Sequence, residues 1–216
     1  MSYYLGLSVL SNNNNGQQNK NRQKLLSAEA RRILSEFAGR TITDDDMVKE
    51  TQGRPFFPGR EADFNITHSG ALAAVSFVRG KNLRTGCDLE LVRKRSKAPA
   101  IAADSFSVSE RDYVFFQGCF DEKRFFQIWT LKECYIKLRG LSVFDMVKVP
   151  SFIHGESFAF NAGLVSPLAF YLYELSAADE RYILATAIEG TEETPEIRWF
   201  SQARMSCECM AKITGK

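Results

Sequence analysis

Apolar and polar positions in this chain recur with two periods, one helical and one strand-like, and the switches between them divide it into elements. Tyr3–Leu10 reads as an opening strand, and the polar, low-complexity stretch Ser11–Asn19 after it as a mobile loop. From about Asn21 to Phe37, the residues Leu25, Leu26, Ala30, Ile33, Leu34 and Phe37 repeat at helical spacing, with Arg22, Lys24, Arg31 and Arg32 between them. That spacing predicts an amphipathic helix with a basic outer face. Thr43 followed by Asp44, Asp45 and Asp46 resembles a helix start, and Gly53–Gly59 a turn. Ala71–Arg79 is a near-continuous apolar run that fits a buried strand, with Thr85–Leu91 as a second strand beside it. Ser109–Gln117 reads as a short helix with a hydroxyl at its start. In Glu122–Arg139 the stripe Phe125, Ile128, Leu131, Tyr135 and Leu138 predicts a long helix packed on a core, and Gly140 ends it. Strand-like runs follow: a hairpin over Ser151–Phe160 around His154-Gly155-Glu156, then Leu168–Leu175, Arg181–Ile188 and Glu196–Met205.

Strand, helix, strands, then helix and several strands is the order of an α+β fold with antiparallel sheets, open to being built twice over. At 216 residues the chain can bury a substantial core as one domain or two fused ones, and 44% hydrophobic with 25% charged residues is ordinary for a globular protein. The net charge of +2 argues against a nucleic-acid binder that works by bulk charge. Its distribution adds a hint. Residues 1–100 hold 16 Lys/Arg against 10 Asp/Glu, a difference of +6, and residues 101–216 hold 12 against 16, a difference of −4. A basic first half suits an anionic ligand. Met1–Leu10 lacks a basic leader, and no apolar run approaches the roughly 20 residues of a membrane span, so no signal peptide and no membrane segment are expected. The five cysteines are odd in number and scattered, with Cys207 and Cys209 lacking a second pair to complete a zinc site. Reduced thiols in a cytoplasmic protein follow from that pattern.

Four short segments carry candidate chemistry. Asp88 and Glu90 sit at i and i+2 of a predicted strand, on one face and about 6.6 Å apart at Cα. Two carboxylates so placed repel unless a positive group lies between them, and Mg²⁺ fits, although surface acids on an edge strand would read the same way. Glu133 and Lys137 are neighbours four apart on the long helix, as a solvated ion pair would also be. His68, one of two histidines, stands between the hydroxyls of Thr67 and Ser69, and Arg54 stands beside Pro55 in the turn region.

Taken together, Gly53-Arg54-Pro55, Asn65-Ile66-Thr67-His68-Ser69, Gly86-Cys87-Asp88-Leu89-Glu90 and Trp129-Thr130-Leu131-Lys132-Glu133-Cys134-Tyr135-Ile136-Lys137 resemble the 4'-phosphopantetheinyl transferases, in particular the single-chain, surfactin-synthetase-activating type. Motif support runs from about Arg22 to Leu141. Arg54 stands where lysine is usual, which exchanges a point donor for a planar fork; Thr67 replaces serine, and Cys87 an aliphatic residue. The resemblance implies two similar α+β subdomains related by a pseudo-twofold axis, divided here as 1–100 and 101–216. It implies transfer of 4'-phosphopantetheine from coenzyme A to a serine of an acyl or peptidyl carrier protein, with release of adenosine 3',5'-bisphosphate. Asp88, Glu90 and Glu133 would surround Mg²⁺; Arg22, Arg54, Thr67, His68 and Lys137 would hold coenzyme A. Glu133, Lys137 and Asp88 form the implied catalytic group, with Glu133 either a metal ligand or the base for the serine. A fused pair of subdomains implies a monomer. The Arg93–Lys97 cluster and the surface near Phe115 and Phe116 offer docking ground for an acidic carrier. The competing readings are a Mg²⁺-dependent nucleotide phosphohydrolase and a non-catalytic module that binds coenzyme A or carrier protein.

Overall fold

The computed structural model of the chain describes residues 2–10, 19–161, 163, 166–177, 179–201 and 205–215. The loop expected over Ser11–Asn19 lies outside these residues, apart from Asn19, which opens the first helix. In chain order the elements are β1 (Ser2–Val9), α1 (Asn19–Ala38), the short pair β2 (Val48–Lys49) and β3 (Pro55–Phe56), then β4 (Ala62–Ser69), β5 (Leu72–Arg79) and β6 (Arg84–Leu91). There follow α2 (Ala98–Ser105), α3 (Val108–Val114), α4 (Glu122–Arg139) and the two-residue strands β7 (Ile153–His154) and β8 (Ser157–Phe158). The chain closes with β9 (Leu168–Ala177), β10 (Glu180–Glu189), β11 (Glu196–Trp199) and β12 (Met205–Thr214).

Two four-stranded sheets form the frame, ordered β11-β1-β5-β4 and β12-β9-β10-β6. Each contains the same unit. In the first, β1–α1–β4–β5 lies in the order β1-β5-β4 with antiparallel neighbours; in the second, β6–α4–β9–β10 lies in the order β6-β10-β9, again antiparallel. The repeat extends to a packing detail. A Cβ on Gly6 of β1 would collide with Ile33 and Phe37 of α1, and one on Gly86 of β6 would come within 2.7 Å of the Cys134 carbonyl and 2.9 Å of Leu138 Cβ in α4. In both units, glycine lets a helix settle close against the first strand.

The layers are helix, sheet, sheet, helix. Leu26, Ala30, Ile33 and Leu34 of α1 pack on Phe64, Ala73, Val75 and Phe77. On the other face of that sheet, Tyr3, Leu5, Leu7, Leu72 and Ala74 meet Tyr171, Tyr173, Tyr182 and Leu184 of the second sheet. Beyond it, Phe125, Ile128, Leu131, Ile136 and Leu138 of α4 cover Phe170, Leu172, Ile183 and Ala185. Each large apolar side chain so enclosed contributes about 1.5–3 kcal/mol. The Tyr3 hydroxyl sits 2.5 Å from Thr186 Oγ1 and donates to the Ala187 carbonyl at 3.2 Å, a polar tie inside the layer between the sheets.

The sheets interlock across the division expected at residue 100. β6, from the first half of the chain, pairs with β10, and β11, from the second half, pairs in parallel with β1. Ala62–Ser69, to which the sequence pattern assigned no element, is a full strand, and the run expected over Glu196–Met205 is two separate strands. α4 begins with the Asp121 carboxylate accepting from the Arg124 amide at 3.0 Å and ends where Gly140 turns left-handed, with φ 65°. No helix among the described residues is long and apolar enough to cross a membrane.

Candidate active site

Gly86, Asp88 and Glu90 share one face of β6, the face on which α4 lies. Trp129, Glu133 and Lys137 recur every four residues on α4, so they form a line about 12 Å long down the helix. The two lines run in opposite directions. Trp129 Nε1 donates to Glu90 Oε1 at 3.1 Å, and Lys137 Nζ donates to Asp88 Oδ1 at 2.6 Å, with Glu133 between them on the helix. The structure therefore sets Asp88, Glu90, Glu133 and Lys137 near one another. It does so inside one unit, strand against helix, because β6 belongs to the second sheet.

The other half contributes across a seam. β4 and β6 run side by side without a backbone ladder, and side chains of β4 take its place. Asp63 Oδ2 accepts from the Thr85 amide at 2.8 Å, Asn65 Oδ1 from the Cys87 amide at 3.2 Å, and Ser69 Oγ from the Leu91 amide at 3.0 Å. Thr67, on the same face of β4, places its hydroxyl 3.3 Å from Lys137 Nζ and 3.4 Å from Asp88 Oδ1. The alternate polar residues Asp63, Asn65, Thr67 and Ser69 thus align the two sheets and bring Thr67 to the carboxylates.

Charge is crowded here. Burial and then the Asp88 charge push the Glu133 carboxyl up to about 7, with Glu90 adding to the rise and Lys137 and Arg95 opposing it. Glu90 is raised for the same leading reasons, against its hydrogen bond from Trp129 and the charges of Arg95 and Lys137. Burial works against the Lys137 charge, but the Asp88 carboxylate more than offsets it and holds the ammonium above the ordinary lysine range. Asp88 is 5% exposed, and its Oδ2 is buried with no hydrogen-bond partner. An orphaned anionic oxygen beside two carboxyls that both resist ionisation more than usual is a donor set that suits a hard cation. Yet among the described residues no three His, Cys, Asp or Glu side chains are close enough to hold one ion, and Lys137 is the positive group on Asp88.

The remaining expected residues separate. His68 lies on the opposite face of β4 from Thr67, the face turned to α1, although the Lys137 charge still reaches it. Burial first, and then that charge, lower its pKa, which favours the neutral ring at pH 7. Arg22 is in the first turn of α1, and its charge acts on the Tyr182 hydroxyl, which lies against Gly70 in the turn after β4. Arg31 pairs with Asp44, and Arg32 with Glu29, so both answer to neighbours outside this group.

Arg54, expected to meet phosphate, directs its guanidinium elsewhere. It is buried with its side chain 4% exposed, forms a two-pronged pair with Asp63 at 3.1 and 2.6 Å, and donates to the carbonyls of Thr85 at 3.0 Å and Lys137 at 2.9 Å. The planar fork noted in the sequence is used against Asp63, nine residues on. Two participants were not singled out individually from sequence. Trp129 holds Glu90, and Arg95 stacks on Trp129 with its charge 5.6 Å from the ring centroid. The indole was visible in the helix motif; Arg95 was visible only as one of a basic cluster.

A family model described as the 4'-phosphopantetheinyl transferase superfamily matches residues 84–187, the span from β6 through α4 to β10. A Nostoc protein named 4'-phosphopantetheinyl transferase HetI is 30% identical over 169 residues, covering 74% of this chain and 67% of that protein. The 4'-phosphopantetheinyl transferase AcpT of Salmonella typhi is 33% identical over 110 residues, 49% of this chain; the matched stretch spans about half of that relative, 55%. A Paxillus involutus 4'-phosphopantetheinyl transferase, pptA, is 23% identical over 199 residues, 82% of this chain and 76% of the relative.

Proposed function

This chain belongs to the 4'-phosphopantetheinyl transferase superfamily, and we propose that it transfers the 4'-phosphopantetheine group of coenzyme A to a serine of an apo-carrier protein, releasing adenosine 3',5'-bisphosphate. The observation that carries this reading is the convergence of Asp88, Glu90, Glu133 and Lys137 between β6 and α4. We assign the chain to the single-chain, surfactin-synthetase-activating type, acting in the cytoplasm as a monomer, because two β–α–β–β units already lie in one polypeptide.

The serine oxygen forms a bond to the phosphorus that carries pantetheine, the bond from that phosphorus to the bridging oxygen breaks, and the bisphosphate leaves with the electron pair. Most of the acceleration in such a transfer comes from positioning and charge neutralisation. Glu133, with a pKa near pH 7, is matched to accept the serine proton directly or through a water. Lys137 faces the leaving oxygens with a fixed positive charge, and Thr67 offers a hydroxyl beside it. Neutral His68 and Arg22, near the far edge of β4, are suited to phosphate oxygens, the first as a hydrogen-bond donor and the second as a cation. Asp88, Glu90 and Glu133 would hold Mg²⁺ only by drawing closer than they stand here, the orphaned Asp88 Oδ2 being the acceptor that most needs it. When bound, the ion supplies Lewis-acid charge to the pyrophosphate oxygens.

Intact mass measurement of apo-carrier protein incubated with the chain, coenzyme A and Mg²⁺ tests this. A gain of one phosphopantetheine is expected, with a single-chain mass for the enzyme under native conditions. Asp88→Asn is expected to lower the rate about 10²–10³-fold. Bisphosphate release without modified carrier would replace the transferase by a hydrolase, and coenzyme A binding without either product would replace it by a binding module.

Arg93 and Lys94 are exposed beside Arg95, and Phe116, under Arg124 at 4.1 Å, is 49% exposed. These are the surfaces offered to an acidic carrier. Reversing the charge at Arg93 and Lys94 is expected to raise the KM for carrier several-fold with coenzyme A affinity unchanged. An unchanged KM would retire this docking surface.

A further inference from the structure

Arg54 occupies a position where the family resemblance expects a phosphate contact, yet all three of its guanidinium nitrogens are engaged inside the protein. Nη1 and Nη2 grip the two oxygens of Asp63; Nη2 also donates to the carbonyls of Thr85 and, more weakly at 3.4 Å, Phe64; Nε donates to the carbonyl of Lys137. These acceptors lie on three elements. Asp63 and Phe64 are in β4, Thr85 is in β6 two residues before Cys87 and three before Asp88, and Lys137 is in the last turn of α4. Asp63 in turn accepts from the Thr85 amide at 2.8 Å, so Arg54 and Asp63 together bind both the N–H and the C=O of Thr85.

The Lys137 carbonyl is one of the four at a helix end that lack a full intrahelical partner. It receives the Gly140 amide at 3.3 Å, and Arg54 supplies the shorter contact at 2.9 Å. A cation at this end also suits the helix dipole. Lysine, with one nitrogen on a flexible stem, could not reach Asp63 with two prongs while also holding Thr85 and Lys137. Around it, Glu50 bonds Arg84 at 3.1 Å and leaves no room for a Cβ at Gly140, whose Cβ would fall 2.5 Å from Glu50 Oε2 and 3.8 Å from Arg54 Cδ.

We propose that Arg54 is a positioning residue, which with Asp63 clamps the end of α4 to the β4–β6 seam and so sets Lys137 against Asp88 and Thr67. This rests on the transferase reading and departs from it at one residue: Arg54 acts through Lys137 and does not bind coenzyme A phosphate.

The test compares the intact protein with Arg54→Lys and Asp63→Asn, each checked for a native near-ultraviolet spectrum. Coenzyme A affinity is measured by calorimetry, transfer kinetics by carrier modification, and amide exchange at Thr85 and Leu141. Both variants are expected to lower kcat about 10- to 100-fold, as a displacement of around 1 Å does, with the coenzyme A Kd within about twofold of the parent. Both are expected to speed exchange at Thr85 and at Leu141, whose amide bonds the Ile136 carbonyl at 3.0 Å. An Arg54→Lys variant that loses tenfold or more in coenzyme A affinity, with Asp63→Asn unaffected, would overturn the proposal in favour of a phosphate contact. If the parent protein transfers nothing, the functional reading fails first, and unchanged exchange at Thr85 and Leu141 then overturns the clamp as well.

Discussion

Replacing Glu133 by glutamine is expected to make the protein more stable at pH 8 while reducing transfer by about 10²-fold or more. The two effects have one origin. The Glu133 carboxyl titrates near 7 in the folded chain, against about 4.5 for an ordinary glutamate, because it is buried and faces Asp88. A raised carboxyl binds its proton more tightly in the folded than in the unfolded state. Its contribution to stability is therefore neutral below about pH 4.5, turns unfavourable as pH rises through the window from 4.5 to 7, and carries the full penalty above it. That penalty is about 3 kcal/mol at most, and partial exposure reduces it. Glutamine removes it. Urea melts at pH 5 and pH 8 measure the gain, which is expected to be large at pH 8 and small at pH 5. A variant no more stable than the parent at pH 8 would show that Glu133 is not held against its charge. The same titration sets the sign for activity: transfer that needs ionised Glu133 falls as pH drops through 7.

Lys132→Met is expected to destabilise the fold by about 3–5 kcal/mol. Lys132 and Glu110 form an ion pair at 3.1 Å with side chains 1% and 0% exposed. Each has further partners: Lys132 donates to the Val149 carbonyl at 3.1 Å, and Glu110 accepts from the Ser107 and Phe152 amides at 2.8 and 2.9 Å. Burial lowers the Lys132 pKa and the Glu110 charge opposes that fall, which is how a cation survives in this core. Removing the lysine alone leaves a buried carboxylate uncompensated. Lys132→Met combined with Glu110→Gln is expected to recover part of the loss, because the stranded charge is gone. A single variant within about 1 kcal/mol of the parent in urea would contradict the burial of this pair.

Lys132 and Glu133 also show how far sequence could be read. The apolar stripe of α4 was legible, since Phe125, Ile128, Leu131 and Leu138 are all buried as their spacing predicts, and Gly140 does end the helix. The burial of Lys132 was not legible, because nothing near it in sequence announces Glu110, twenty-two positions earlier. That Asp88 and Glu90 share one face of β6, and Glu133 and Lys137 one face of α4, was legible because each local period sets its own pair. β4 was not legible, for a physical reason. A strand whose alternate residues are Asp63, Asn65, Thr67 and Ser69 looks like a loop until the amides of β6 are set against it. Arg54 was read by resemblance as a ligand contact, while its actual partners lie 9, 31 and 83 residues away. The pairing of β6 with β10 and of β11 with β1 across residue 100 was not legible either, because it is long-range and leaves no local pattern.

The joint between β4 and β6 differs from ordinary strand pairing in what mutation can do to it. Peptide rungs are present whatever the side chains, so substitution seldom deletes one. Here each rung is spelled by a codon: Asp63, Asn65 and Ser69 can be lost singly, leaving the others in place. Substitution in this chain can therefore loosen or tighten the seam between the two sheets one letter at a time, without redrawing either sheet.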